Sequence, residues 1–483
     1  MSLTKATYSM IEGAQINVLD YGADPTGVAD STSAINAALA YAGSIIIPDT
    51  PFSGYGYEVK GGATVYLPAG EYKTTASLVI PRNVSIVGAG KYSTLIKSTA
   101  SDYIVKSTDV VTVSGTYNKV GTTLRDFSVM GDRSLPNQVG FGLLRSYNNV
   151  FENLTASRCG SHGFLLLQCI SNTFISVESI YNVGDGWRMG NGIDSWSNPV
   201  NNSLPSNANQ IMYLHALQND GAGIYLDLGT NGNVFYTCVC EYNYWSSPAN
   251  TGYNVHSATN SNQPNTFYSL WTEGPCEAYV YVNHTGISIP INLDQWKHFP
   301  TGASGSVNRA LIVNTGYVNL SYASGSANLY KTLNGSNSPF RILDKTTGII
   351  TLQNCSGANV TGIDFVDDST GANTGFENNV FQYNYGTMYN KINSYQNAGA
   401  LYNHAWYKDT QTQPYAAVSP FYNGFLMGDG TAQPAVIIRA GTGTPEGAVA
   451  APVGSLYLRM DGGAGTSLYV KQTGTGNTGW DGK

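Results

Sequence analysis

The feature that most constrains this chain is a nine-residue pattern that recurs five times and always opens on asparagine. The copies are NVFENLTAS from Asn149, NTFISVESI from Asn172, NQIMYLHAL from Asn209, NVFYTCVCE from Asn233 and NTFYSLWTE from Asn265. Counting from each Asn, the second following position is Phe151, Phe174, Ile211, Phe235 and Phe267, and the fifth is Leu154, Val177, Leu214, Cys238 and Leu270. The seventh is uniformly small: Ala156, Ser179, Ala216, Cys240 and Thr272. Stacked inward side chains of tightly layered strands have this character. A second strand follows most copies after a glycine, as in GFLL, GWRM, GIYL and GYNV. The copies start 23, 37, 24 and 32 residues apart, a coil of roughly two dozen residues with insertions in two turns. A propeller blade needs about 40 residues and four strands, so the shorter unit predicts an all-β chain built as a right-handed parallel β-helix.

Composition agrees and excludes other classes. Of 483 residues only 11% are charged, against about 25% in ordinary globular proteins, while 55 glycines and 34 tyrosines suit short strands and many turns. Lys and Arg total 24 against 31 Asp and Glu, a net charge of −7 without a basic block, so no nucleic-acid partner is expected. Apolar runs such as 44–47 and 164–167 fall far short of the roughly 20 residues of a membrane span, so no membrane insertion is expected. The first 14 residues lack the pattern of a secretory signal, so synthesis in a cytoplasm is the expectation. Six cysteines are too sparse for a disulfide scaffold and read as reduced and mostly buried.

The one convincing helix lies between Asp30 and Ala42, with Asp30 or Ser31 as N-cap and Ile35, Ala38 and Leu39 at helical spacing. A solenoid exposes an apolar end at its first coil, and this helix is the expected cap.

These residues carry a resemblance. INVLDYGADPTGVADSTSAINAALAYA followed by VYLPAGEYKTTASLVIPRNVSIVGAGKYSTLIK resembles the opening of pectate-lyase-like β-helix proteins. More narrowly, LTKATYSMIEGAQINVLDYGAD and the terminal GSLYLRMDGGAGTSLYVKQTGTGNTGW resemble segments of tailed-bacteriophage tailspikes and tail fibres. The resemblance implies a homotrimeric spike on the virion, made in the host bacterial cytoplasm, that binds and cleaves a bacterial surface polysaccharide and joins other phage tail proteins through its N-terminus. The corresponding layout is a connector at 1–17, a cap region at 18–62, a glycan-binding and catalytic β-helix at 63–330, a β-rich C-terminal trimerisation region at 331–440 and a Gly-rich tip at 441–483.

Catalytic candidates follow from alternation. If the fifth and seventh positions point inward, the sixth and eighth face outward. The sixth column reads Thr155, Glu178, His215, Val239, Trp271, and the eighth reads Ser157, Ile180, Leu217, Glu241, Glu273. Glu241 and Glu273 thus share one outward column on consecutive coils, where like charges side by side are unfavourable. Glycoside hydrolysis supplies a reason, since it uses one protonated and one ionised carboxyl, and their repulsion helps keep one of them protonated. Solvated surface residues are the plainer alternative. Trp271 and Trp245 offer faces to a sugar ring, whereas Trp187 reads as core. His215, Glu178 and Arg188 are further substrate-binding candidates, Arg188 either neutralising a uronate or pairing with Asp185. Asp227 and His256, at matching places after Gly223 and Gly252, form a second-choice acid/base pair.

No GxSxG elbow, HExxH helix or EF-hand loop occurs. The sole GxGxxG, Gly474 to Gly479, has no helix to follow, so no cofactor is expected and no metal site is assigned. Endo-glycosidic hydrolysis of a capsular or O-antigen polysaccharide is the leading expectation. A polysaccharide lyase and a non-catalytic adhesin are the alternatives; clustered carboxylates fit to hold Ca²⁺ are not evident.

Overall fold

The computed structural model describes residues 15–45, 61–108, 119–120, 122–193, 196, 204–244, 252–258, 264–274, 276–284 and 291–299. Beyond 308 it describes the strands and residues 436–483. Two compact units are present, Met1–Asn397 and Ala398–Lys483.

The first unit is a parallel β-helix. Each coil contributes three short strands, and each strand pairs in parallel with its counterpart one coil later. The first face runs through Thr173–Ile175, Gln210–Met212, Val234–Tyr236 and Thr266–Tyr268. The second runs through Glu178–Ile180, His215–Leu217, Val239–Glu241 and Trp271–Glu273. The third runs through Phe164–Leu167, Trp187–Gly190, Ile224–Leu226, Tyr253–Ser257 and Ala278–Asn283. Among the described residues the pairing runs from Ile16–Asn17 to Tyr389–Asn390, beyond the expected limits of 63 and 330 on both sides.

The repeat columns are the core. Phe151 stacks on Phe174 at 4.5 Å and Phe235 on Phe267 at 4.4 Å between ring centroids. All four rings and the small seventh-position residues are buried, and Trp187 is in the core as expected. Aromatic pairs in this offset geometry add about 0.5–1.5 kcal/mol beyond their buried area.

The opening asparagines form a buried ladder. Nδ2 of Asn149, Asn172, Asn209 and Asn233 each donates to Oδ1 of the Asn one coil on, at 3.1, 2.9, 2.8 and 3.0 Å. The backbone N–H of each donates to that same oxygen. A second ladder, Asn182 to Asn219 to Asn243, repeats the arrangement before the third face. The corners are left-handed: Asn153, Ser176, Tyr213, Thr237 and Ser269, four residues after each opening Asn, lie at φ 51 to 59°. Such a conformation costs about 1–2 kcal/mol per L-residue. The corners at Ser176, Tyr213 and Thr237 each lie between a rung of the first ladder and a rung of the second.

Residues Thr32–Ser44 form the cap helix, burying Ile35, Ala38, Leu39 and Ala42 in one cluster with Val65, Leu78 and Val84 of the first coils. Ser31 occupies the N-cap position without a side-chain capping bond, and Asp30 just before it supplies one: its Oδ1 accepts from the backbone N–H of Thr32 at 3.0 Å. Asn36 then ties the helix to the coil edge, donating to the Ser77 carbonyl and accepting from the Val79 N–H.

In the second unit, five strands form one sheet around Ala451, Tyr457, Tyr469 and Trp480. The Gly474 to Gly479 motif joins Leu468–Lys471 to Trp480–Gly482 as a β-hairpin. Buried Lys471 donates from Nζ to the carbonyls of Gly476 and Thr478 within that connection. The five described cysteines are buried.

Candidate functional site

The second face places Glu241 and Glu273 as register partners, with Val239 beside Trp271 one pleat away. Both carboxylates and the indole are half-buried on outward positions. Trp271 Nε1 donates to Glu273 Oε2 at 3.4 Å and the Tyr242 hydroxyl to Glu273 Oε1 at 3.3 Å. Two donors thus fix the orientation of one carboxyl. His215 Nε2 lies 3.7 Å from Glu241 Oε2, beyond hydrogen-bond range. His215, Glu241, Trp271 and Glu273 are therefore assembled on three consecutive coils.

Glu178 belongs to this column, paired in register with His215, but its carboxylate is engaged. Lys91 Nζ lies 3.1 Å from Oε1, the Tyr92 hydroxyl donates to both oxygens at 2.9 and 2.8 Å, and Thr155 Oγ1 donates at 2.9 Å. Burial pushes the Glu178 carboxyl up, and the bonds from Tyr92, Thr155 and Lys91 outweigh it, holding its pKa below the usual value. Its role as a direct sugar ligand is thereby weakened.

The third face gathers a second polar group. Arg188 donates to Asp227 Oδ2 at 2.6 Å and to Asp185 Oδ2 at 3.5 Å, and its guanidinium carbon stands 4.6 Å from the centroid of Tyr225. Asp227 also accepts the Leu228 N–H at 2.8 Å. Burial pushes Asp185 up to about 6, against the pull of Arg188. Burial also lowers His162 and His256 to about 4 each, so both imidazoles are neutral near pH 7. His162 Nδ1 accepts the Asp185 backbone N–H at 3.0 Å.

The expected pairing of Asp227 with His256 is not the register observed. Tyr225 is the partner of His256, whose ring is set edge-on to Tyr225, Tyr253 and Tyr281. In this register Gly223 falls opposite Asn254, two residues past Gly252, so equal distances from the two glycines do not bring Asp227 and His256 together. Sequence reasoning passed over Tyr225 and Tyr281, although alternation within their strands marks both as outward. Trp245 lies outside the described residues. Among the described residues no group of three or more His, Cys, Asp or Glu is placed to hold a metal ion.

Residues 15–138 match the family model described as rhamnogalacturonase A/epimerase, pectate lyase-like. Mannuronan C5-epimerase AlgE2 of Azotobacter vinelandii is 43% identical over 90 residues, which are 17% of this chain and 7% of that protein. Alginate lyase 7 of the same organism is 39% identical over 90 residues, 17% of this chain and 9% of that one. The chain thus spans less than a tenth of the length of either relative. Among solved structures, the gp42 tailspike of Acinetobacter phage vb_AbaP_AS12 superposes with a TM-score of 0.54, covering 83% of this chain and 67% of that one at 13% identity. All the candidate residues, 178 to 273, lie beyond the family match. The chain carries a pectate-lyase-like domain at residues 15–138 and has the parallel β-helix fold of a phage tailspike.

Proposed function

We propose that this protein is a virion-borne tailspike that binds and depolymerises a bacterial capsular or O-antigen polysaccharide by endo-glycosidic hydrolysis, with Glu241 and Glu273 as the carboxylate pair. The observation that carries the reading is their register pairing on the outer surface, beside an indole that offers a sugar-stacking face. One carboxyl delivers a proton to the leaving glycosidic oxygen while the other activates water or attacks the anomeric carbon. Neighbouring strands lie about 4.8 Å apart, and rotamer choice then spans both the retaining separation of about 5–5.5 Å and the inverting one of about 6.5–9.5 Å. His215 and Trp271 line the substrate on either side of the pair.

Elimination at a uronate, the lyase alternative, draws support from the two neutral histidines of the third face, since neutral imidazole is competent as a base. It also calls for a cation to neutralise the uronate carboxylate. Arg188 is already held between Asp227 and Asp185, which favours hydrolysis. The homotrimer and attachment to other tail proteins through the N-terminus complete the proposal, on the tailspike resemblance.

The test is digestion of purified surface polysaccharides followed by mass analysis. New reducing ends without unsaturated uronate absorbance support hydrolysis. Unsaturated ends establish a lyase, and polymer that is bound but intact establishes an adhesin.

A further inference from the structure

Tyr92 is 80% exposed, the most exposed large apolar side chain described, yet it is not loose. Its hydroxyl donates to both carboxylate oxygens of Glu178, at 2.9 and 2.8 Å, across 86 residues of sequence. Glu178 is itself held by Lys91 and Thr155. Lys91 is 7% exposed, and its carbonyl accepts from Ser128 Oγ on the neighbouring coil. The ring is therefore set by a chain of charge-assisted bonds while its apolar surface stays in water. Fixing a side chain costs rotamer entropy, and here almost no burial offsets it. A rigid, exposed aromatic surface with few rotatable bonds is the form in which tyrosine serves recognition.

Its place on the coil says what it would recognise. Glu178 pairs with His215, His215 with Val239, and Val239 with Trp271, all on the second face. Glu178, which holds the Tyr92 hydroxyl, and Glu273 thus stand three strand spacings or roughly 14 Å apart along one outward track, and Tyr92 reaches that track from before Thr94–Ser98, three coils upstream of Glu178. We propose that Tyr92 is a remote stacking subsite for the polysaccharide, held upright by Glu178, that makes binding depend on a chain several sugar rings long. Glu178 is then a positioning residue and does not touch the sugar. The proposal rests on the reading of the second face as a glycan-binding track.

The experiment measures retardation in gels containing the purified surface polysaccharide that the wild-type protein binds, together with cleavage of size-fractionated oligosaccharides from it. Tyr92→Ala is expected to weaken retardation about three- to tenfold, also in a Glu241→Gln background where cutting is slowed at least about 100-fold. On long oligosaccharides KM should rise by a similar factor with kcat kept; on fragments too short to reach from the glutamates to Tyr92, neither constant should change. Tyr92→Phe keeps the ring and loses its tether, so its affinity should fall between the two, and Glu178→Ala in the Tyr92→Ala background should add little. Unchanged retardation by Tyr92→Ala, or an equal loss on short and long fragments, overturns the proposal. Wild-type protein that binds without cutting overturns the hydrolase reading alone, since the retardation arm still decides Tyr92. Protein that binds no polysaccharide overturns both.

Discussion

Asn209 and Asn233 occupy the same position of successive coils, and both the side-chain Nδ2 and the backbone N–H of Asn209 donate to a single oxygen, Oδ1 of Asn233, at 2.8 and 3.0 Å. Asn209 in turn accepts two bonds from Asn172 and donates to the Cys169 carbonyl at 2.7 Å. Removing this side chain leaves a buried N–H and a buried amide of Asn172 without an acceptor, at roughly 1–3 kcal/mol each. Asn209→Ala is expected to lower stability by about 3 kcal/mol, read by denaturant unfolding, and Asn209→Leu to do no better despite its greater apolar volume. Wild-type stability in either variant would show the ladder to be dispensable.

Glu241→Gln and Glu273→Gln should each slow cleavage of the polysaccharide by at least about 100-fold, the usual scale for losing a general acid or base. The amide is nearly isosteric and both sites are half-buried, so folding and glycan affinity should persist. Cleavage by both variants at close to the wild-type rate would move the active site to the third face, around His256 and Asp227.

Acidification should destabilise the fold. His162, His256 and His284 titrate in the folded protein at about 4, all through burial, whereas an unfolded histidine titrates near 6.5. Their contribution is present above pH 6.5 and is lost as pH falls from there towards 4, because the unfolded chain takes up protons first. Asp185, raised to about 6, acts with the opposite sign, since the folded state holds its proton between about pH 4 and 6. Three groups outweigh one. The melting temperature should fall by several degrees between pH 7 and pH 5, and a rise over that interval would contradict the assigned burial.

A homotrimer is expected in solution. Light scattering at micromolar concentration should give three times the 51.5 kDa chain mass, and a monomer at that concentration would count against it.

The inward columns and the register of Glu241 with Glu273 were legible because strand alternation has a period of two and the five copies share one frame. The role of the opening asparagines was not. A polar residue between strands reads as a turn marker, and only stacking shows that each amide bonds its counterpart. The second ladder was hidden by variable spacing, since Asn182 and Asn219 stand two residues before a glycine and Asn243 nine before Gly252. Glu178 was legible as outward but not as engaged, because Lys91 and Tyr92 come from a coil well upstream. The coil also extends past the repeats into Arg341–Gln353, a segment without the Asn frame.

The cap helix gives assembly a direction. It is made before the coils and closes the apolar end of Val65 and Leu78 as soon as those residues emerge. Each later coil then finds a finished edge about 23 to 37 residues behind it in sequence, the separation between successive rungs of the Asn149 to Asn265 ladder. Loop closure grows only slowly with length, so every coil meets a similar entropic barrier, and the chain can fold at the pace of synthesis from one end to the other.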